Sequence, residues 1–298
     1  MPEFLVPPVW TSVQLETARL DSIARFVSDR AAEGVLPYIN AHQLSANMVR
    51  EFFAASADLA NIPHALLSGG SDAMHVARFL TGPPTSADDL DTLVGSKVAL
   101  RGRLPEPTAY RVAEVLTTAL DPIRFPWIPG RSPTSHERDS ALKWTAGLMA
   151  VQLVQTSRRS QLSVRQQEAV RITLSQSGFR QVERRTLSAV AEILPGEFMD
   201  ESRVANAKCD VPVGLHDGRL LLIECKVSNS SLNSIKRLIR ETVGKRDVWN
   251  RVFGERAITA AVLAGVFDLK HLEEAQRRGV TLFWEGDLQP LAEFVQTS

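Results

Sequence analysis

Over the first 120 residues, apolar side chains recur every three or four positions in four stretches, 13–30, 46–60, 72–80 and 108–120. That spacing places them on one face of an α-helix. Gly-Pro-Pro and similar turns separate the stretches, so this part is expected to be mainly helical. From 121 to 134 the pattern stops. Pro122, Pro126, Pro129, Gly130 and Pro133 exclude regular helix there, and a linker or an extended arm is expected. Helical spacing resumes over 135–156, with Leu142, Leu148, Met149 and Leu153, and again over 164–177. Ser163 and Gln166 have the spacing of a capping box for the second of these, and Gly178 stands where a glycine ends a helix.

Beyond residue 200 the period changes. Two short apolar runs, 209–215 and 220–227, flank His216-Asp217-Gly218-Arg219, and Asp-Gly between such runs predicts a β-hairpin. A helix over 232–253 follows, with Leu232, Ile235, Ile239, Val243 and Val252 as its apolar face. After it come a β-rich run at 258–267, a charged helix at 269–278 and a strand at 280–284. The order helix, strand, strand, helix, strand, helix, strand predicts an α/β fold with a mixed sheet flanked by helices. A boundary in the proline-rich segment divides a mainly helical N-terminal region, 1–134, from an α/β domain, 135–298.

Composition narrows the classes. The 298 residues are 44% hydrophobic and 23% charged, which excludes a disordered or collagenous chain. Thirty-four basic residues balance thirty-four acidic ones, so any attraction for a polyanion must be local. The densest positive stretch is 226–256, with eight basic residues against three acidic ones. Cys209 and Cys225 are too few for a disulfide framework or a four-cysteine zinc site, and buried thiols in a reducing cytoplasm are expected. No signal peptide or membrane span is read; the most apolar uncharged run, 257–267, has 11 residues. The six histidines lack His-Glu-x-x-His spacing, Gly244-Lys245 lacks the rest of a Walker A loop, and no Gly-x-Ser-x-Gly elbow occurs.

The candidate chemistry lies on the hairpin. Asp210 stands on its first strand, and Glu224-Cys225-Lys226 closes its second, with Glu224 and Lys226 two apart and therefore on one face. Carboxylate and carbonyl oxygens are the donors that Mg²⁺ takes, and Asp210, Glu224 and the backbone carbonyl of Cys225 can supply them. A neighbouring lysine can hold and help deprotonate an attacking water and offset charge on a phosphoryl transition state. An undistorted two-residue turn at Asp217-Gly218 would set Asp210 opposite Cys225 and split this group. A shared site therefore requires a three-residue loop, or a bulge near Pro212 or Gly214. Ser228, Asn229 and Ser231, where the next helix begins, and Lys236, Arg237 and Arg240 on it, are candidate contacts to a phosphate backbone.

Asp210, Glu224 and Lys226 resemble the signature of the PD-(D/E)XK nuclease superfamily, with Cys209 where a proline usually precedes the aspartate. The resemblance covers 164–295. It implies a restriction-endonuclease-like core and Mg²⁺-dependent hydrolysis of double-stranded DNA. It also gives the preceding helix an acidic residue directed at the metal, a role that Glu168 matches. The layout is similar to the XamI-like type II restriction endonucleases, which implies sequence-specific cutting, a homodimer and a cognate DNA methyltransferase as functional partner. Base reading or the dimer contact then falls to the first half, with Arg101, Arg103, Arg131 and Arg138 as candidate readers. A repair or junction nuclease of the same superfamily, and a non-catalytic DNA-binding module on this fold, are the alternatives.

Overall fold

The computed structural model describes residues 4–128 and 130–298; Met1 to Glu3 and Pro129, one of the prolines of the expected linker, lie outside the described residues. The chain forms two compact units, one of Met1–Ala32 with Arg158–Ser298, the other of Glu33–Ser157.

The helices of the first half are α1 (Ser12–Glu33), α2 (Leu36–Ala55), α3 (Ile62–Ser68), α4 (Ala73–Ala77), α5 (Ala87–Val94) and α6 (Glu106–Thr118). Helix α7 (Ser135–Gln176) belongs in part to each unit. The helical unit closes on Phe53, Phe125 and Trp127, which meet edge to face. Phe125 and Trp127 come from the proline-rich segment, so that segment is neither linker nor arm. Its prolines prevent helix, but its aromatic residues are buried, and buried Arg124 donates to the carbonyls of Phe79 and Thr81, to Thr145 Oγ1 and to Asp121.

One long helix replaces the two expected over 135–177. Ser163 is interior to α7 and makes no capping hydrogen bond among the described residues. Gln166 is fully buried, and its Nε2 donates to the Val262 carbonyl. The capping box stands 29 residues earlier, where Thr134 N donates to Glu137 Oε2 and Glu137 N to Thr134 Oγ1. The far end is as expected: α7 stops at Gln176, and Gly178 has φ +92.

The strands are β1 (Arg180–Gln181), β2 (Glu197–Phe198), β3 (Ser202–Val204), β4 (Ala207–Cys209), β5 (Val211–Gly214), β6 (Leu220–Asn229), β7 (Ala257–Val266) and β8 (Val280–Trp284). Six form a mixed sheet in the order β1-β2-β5-β6-β7-β8, with β5 antiparallel to both neighbours and β6, β7 and β8 parallel; β3 and β4 pair separately. The run expected as one strand, 209–215, is thus two strands in two sheets, broken at Asp210.

Alternation along β6 sorts its side chains. Leu221, Ile223 and Cys225 join Val262 and Phe283 on one face, under Val170 and Leu174 of α7 and Leu291, Phe294 and Val295 of α11 (Gln289–Thr297). Leu220 and Leu222 face the other way, against Trp249 and Phe253. Further along that second face, Leu15 of α1 packs with Leu263, Leu282 and Leu272 of α10 (Leu269–Arg277). Trp10 fastens the segment before α1 by donating from Nε1 to the Leu282 carbonyl at 2.7 Å.

The segment after β6 is helical in three consecutive parts, α8 (Ser231–Ser234), a π-helical stretch (Ile235–Val243) and α9 (Gly244–Phe253). The apolar face expected from a 3.6-residue period is corrected by this. Leu232 is 84% exposed and Val252 half exposed, whereas Ser234, Leu238, Thr242, Val243, Trp249 and Phe253 are buried. Of the expected face, Val243 is buried and Ile239 packs against the Leu15 core, while the wider i→i+5 turn moves the rest of the buried stripe to Ser234, Leu238 and Thr242.

Candidate active site

The hairpin joining β5 to β6 sets the site. Val211 lies opposite Ile223 and Gly214 opposite Leu220, so the loop is His216-Asp217-Gly218, with Leu215 N donating to the Arg219 carbonyl. Gly218, at φ +82, takes the left-handed position that closes such a three-residue loop. Continuing this register by one step sets Asp210 opposite Glu224, the pairing that a two-residue turn would have prevented.

At that point the chain leaves the ladder. Asp210 Oδ2 accepts the backbone N–H of Cys225 at 2.7 Å, replacing the partner that β5 no longer provides. Since the N–H and C=O of an extended residue project to the same side, the Cys225 carbonyl also leaves β6 toward Asp210. Its thiol belongs to the other face, and burial pushes it well above the ordinary thiol range, as it does for Cys209. Both cysteines are free.

Glu224 is fully buried and engaged by two ammonium groups. Lys226 Nζ is 2.6 Å from its Oε2 and 3.9 Å from Asp210 Oδ2. Lys245 Nζ lies 2.8 Å from Oε1 and 2.7 Å from Oε2. Burial raises the Glu224 carboxyl above its usual range against the pull of Lys226, Asp210 adds to the rise, and Lys245 opposes it. Burial works against the charge on Lys226 too, but Glu224 and Asp210 outweigh it and hold the amine above its ordinary value. Lys226 is therefore an ammonium, a group that donates to a water or phosphate oxygen and neutralises charge building there.

Asp210, Glu224 and Lys226 are thus brought together. Lys245 was not expected here, and its only signal in the sequence is its place in the basic stretch 226–256. Folding delivers it by matched spacing. Trp249 packs α9 against Leu220 and Leu222 of β6 and donates from Nε1 to the Val204 carbonyl of β3. Four residues back along the helix is about 6 Å, and two residues along the strand about 6.6 Å, so Lys245 stands over Glu224.

Other expected residues lie elsewhere. Glu168 is half exposed on α7, which packs on the opposite sheet face, and its carboxylate pairs with Arg171, which also holds Asp200. Ser228 is buried and donates to the Ser230 carbonyl. Asn229 accepts from Asn233, and the hydroxyl of Ser230, not Ser231, accepts from Asn233 N at the start of α8. Lys236 and Arg240 are exposed and Arg237 half buried. Among the described residues, no group of three or more His, Cys, Asp and Glu is arranged to hold a metal ion, and no helix is long and apolar enough to cross a membrane.

Comparison with known proteins places this arrangement. The profile of the XamI restriction endonuclease family matches residues 57–284. The type II restriction enzyme XamI of Xanthomonas campestris pv. amaranthicola is 34% identical over 263 residues, covering 83% of this chain and 93% of its own. The type II restriction enzyme SalI of Streptomyces albus G is 24% identical over 280 residues, covering 85% and 88%. No solved structure matches the chain. A family profile spanning both the helical unit and the sheet, with XamI aligned over most of the chain, shows that this protein belongs to the XamI restriction endonuclease family and is a DNA-cleaving hydrolase of the type II restriction class.

Proposed function

We propose that Asp210, Glu224 and Lys226 form a PD-(D/E)XK centre that hydrolyses the phosphodiester bonds of double-stranded DNA at a specific sequence with Mg²⁺. The observation that carries this reading is the convergence of the three side chains at the end of β5, where Lys226 Nζ lies within 4 Å of both carboxylates. The donors fit the ion. Asp210, Glu224 and the Cys225 carbonyl offer only hard oxygens, and Asp210 Oδ1 takes no hydrogen bond from the described residues. When bound, the cation withdraws charge from the scissile phosphate and acidifies water. Lys226 holds a water or phosphate oxygen by donation, and Asp210, tied to Cys225 N, keeps its carboxylate fixed.

Lys236, Arg237 and Arg240, with Asn229 and Ser231, are assigned contacts to the DNA backbone beside this centre. Ser228 contributes through the turn it braces, and Glu168 remains an acidic residue on the helix before the sheet. The first half, 1–134, is assigned base reading or the dimer contact. Of the candidate readers, Arg131 and, just past that boundary, Arg138 are held by Glu137 and Asp58, while Arg101 and Arg103 face solvent. A cytoplasmic homodimer acting beside a cognate DNA methyltransferase completes the reading, since two-fold-related subunits cut both strands of a palindrome.

Incubation of the purified protein with unmethylated phage DNA tests the assignment. Discrete fragments with Mg²⁺ and none with EDTA are expected, and their mapped ends give the site. Intact DNA under every divalent cation would refute it.

A further inference from the structure

We propose that Lys245 is a tethered cation that occupies Glu224 in the metal-free protein and leaves it when a divalent cation binds. The inference rests on the reading of Asp210 and Glu224 as that cation's carboxylates. Lys245 Nζ lies 2.8 and 2.7 Å from the two oxygens of Glu224, so it occupies both donor atoms of a carboxylate that would serve the ion. Glu224 does not need it as a counter-charge, because Lys226 already lies 2.6 Å away. Asp210, Glu224, Lys226 and Lys245 together carry no net formal charge. Adding a divalent ion to that buried group leaves a surplus of two positive charges, and uncompensated buried charge is expensive. Release of Lys245 removes one of them, and a DNA phosphate removes the other.

Of the two lysines, Lys245 is the one placed to go. Its side chain is 24% exposed and that of Lys226 only 8%. It stands at the start of α9, where the π-helical stretch gives way to α-helix, whereas Lys226 is on a strand paired with β7. The DNA-free protein is then a poor metal binder, since Lys245 competes with the ion for one carboxylate.

The test is Mn²⁺ binding followed by electron paramagnetic resonance in the full-length, DNA-free protein, a readout independent of cleavage. Lys245→Met and Lys245→Gln should each bind Mn²⁺ at least about tenfold more tightly than wild type, because a positive charge beside the ion has been removed. Lys245→Arg, which keeps the charge, should stay near wild type. Equal or weaker binding by Lys245→Met and Lys245→Gln, with binding lost in Glu224→Gln, overturns this proposal and leaves the catalytic site standing. Binding that is unchanged in Glu224→Gln removes the site itself, and the proposal with it.

Discussion

Lys226 gains two carboxylate partners only when the chain folds, and they raise its pKa despite its burial. A raised folded pKa on a lysine means a stabilising contribution that is fully present below the ordinary value of 10.5 and lost as pH rises through the folded value. Denaturant titrations between about pH 9 and 12 should therefore show wild type losing stability relative to Lys226→Met as the pH climbs. A pH-independent difference between the two proteins would place the ammonium outside this ion-paired group. Glu224 runs the other way. Its raised pKa makes ionisation costly to the folded state above the ordinary carboxyl value, which is why a buried glutamate on a central strand needs a cation as close as Lys226. The pairing of Glu224 with Lys226 was legible from two-residue spacing. Lys245 was not, because its approach depends on where Trp249 anchors α9, a tertiary fact with no local signature.

Among the elements, α7 shows how a local signal succeeds or fails. Thr134 and Glu137 make the capping box, and Arg131 joins them through a bidentate ion pair. The hydrogen bonds from Arg131 and the Thr134 backbone hold the Glu137 carboxyl at about 2 against an ordinary 4.5. A depressed carboxyl pKa gives stability that is present above 4.5 and lost as pH falls through about 2. Acid unfolding of Glu137→Gln should accordingly be less steep than that of wild type across that window, and identical acid profiles would contradict the cap. The Ser163 and Gln166 pair has box-like spacing too, but burial of Gln166 against β7 made that turn helix interior. The hairpin was legible because Asp217-Gly218 marks the turn, and a shared site demanded a three-residue loop or a bulge, of which the chain forms the loop. The two-residue strands β1 and β2 were not, being too short for alternation to register. The proline-rich segment read as a linker because proline density reports only the absence of helix, and says nothing of Phe125 and Trp127 filling a core.

At the scale of the molecule, the strict balance of 34 basic and 34 acidic residues coexists with a concentrated positive stretch, 226–256, carried on the end of β6 and the helical segment that follows it. Residues 200 and more apart in sequence complete that unit: Leu15 of α1 is buried against Leu263 and Leu282, and Trp10 and Gln276 exchange hydrogen bonds. Leu15→Ala should therefore cost about 2–5 kcal/mol in denaturant unfolding, and a loss under about 0.5 kcal/mol, the range of a surface change, would show that α1 is not part of the core.

The assignment of Asp210, Glu224 and Lys226 as the hydrolytic centre is tested by the single-turnover cleavage rate of Lys226→Ala beside wild type on the mapped cognate duplex with Mg²⁺. A rate lower by about 10²–10³-fold is expected, the loss of one electrostatic stabiliser at a reacting phosphate, with DNA binding and circular dichroism retained. Cleavage by Lys226→Ala at the wild-type rate would contradict it.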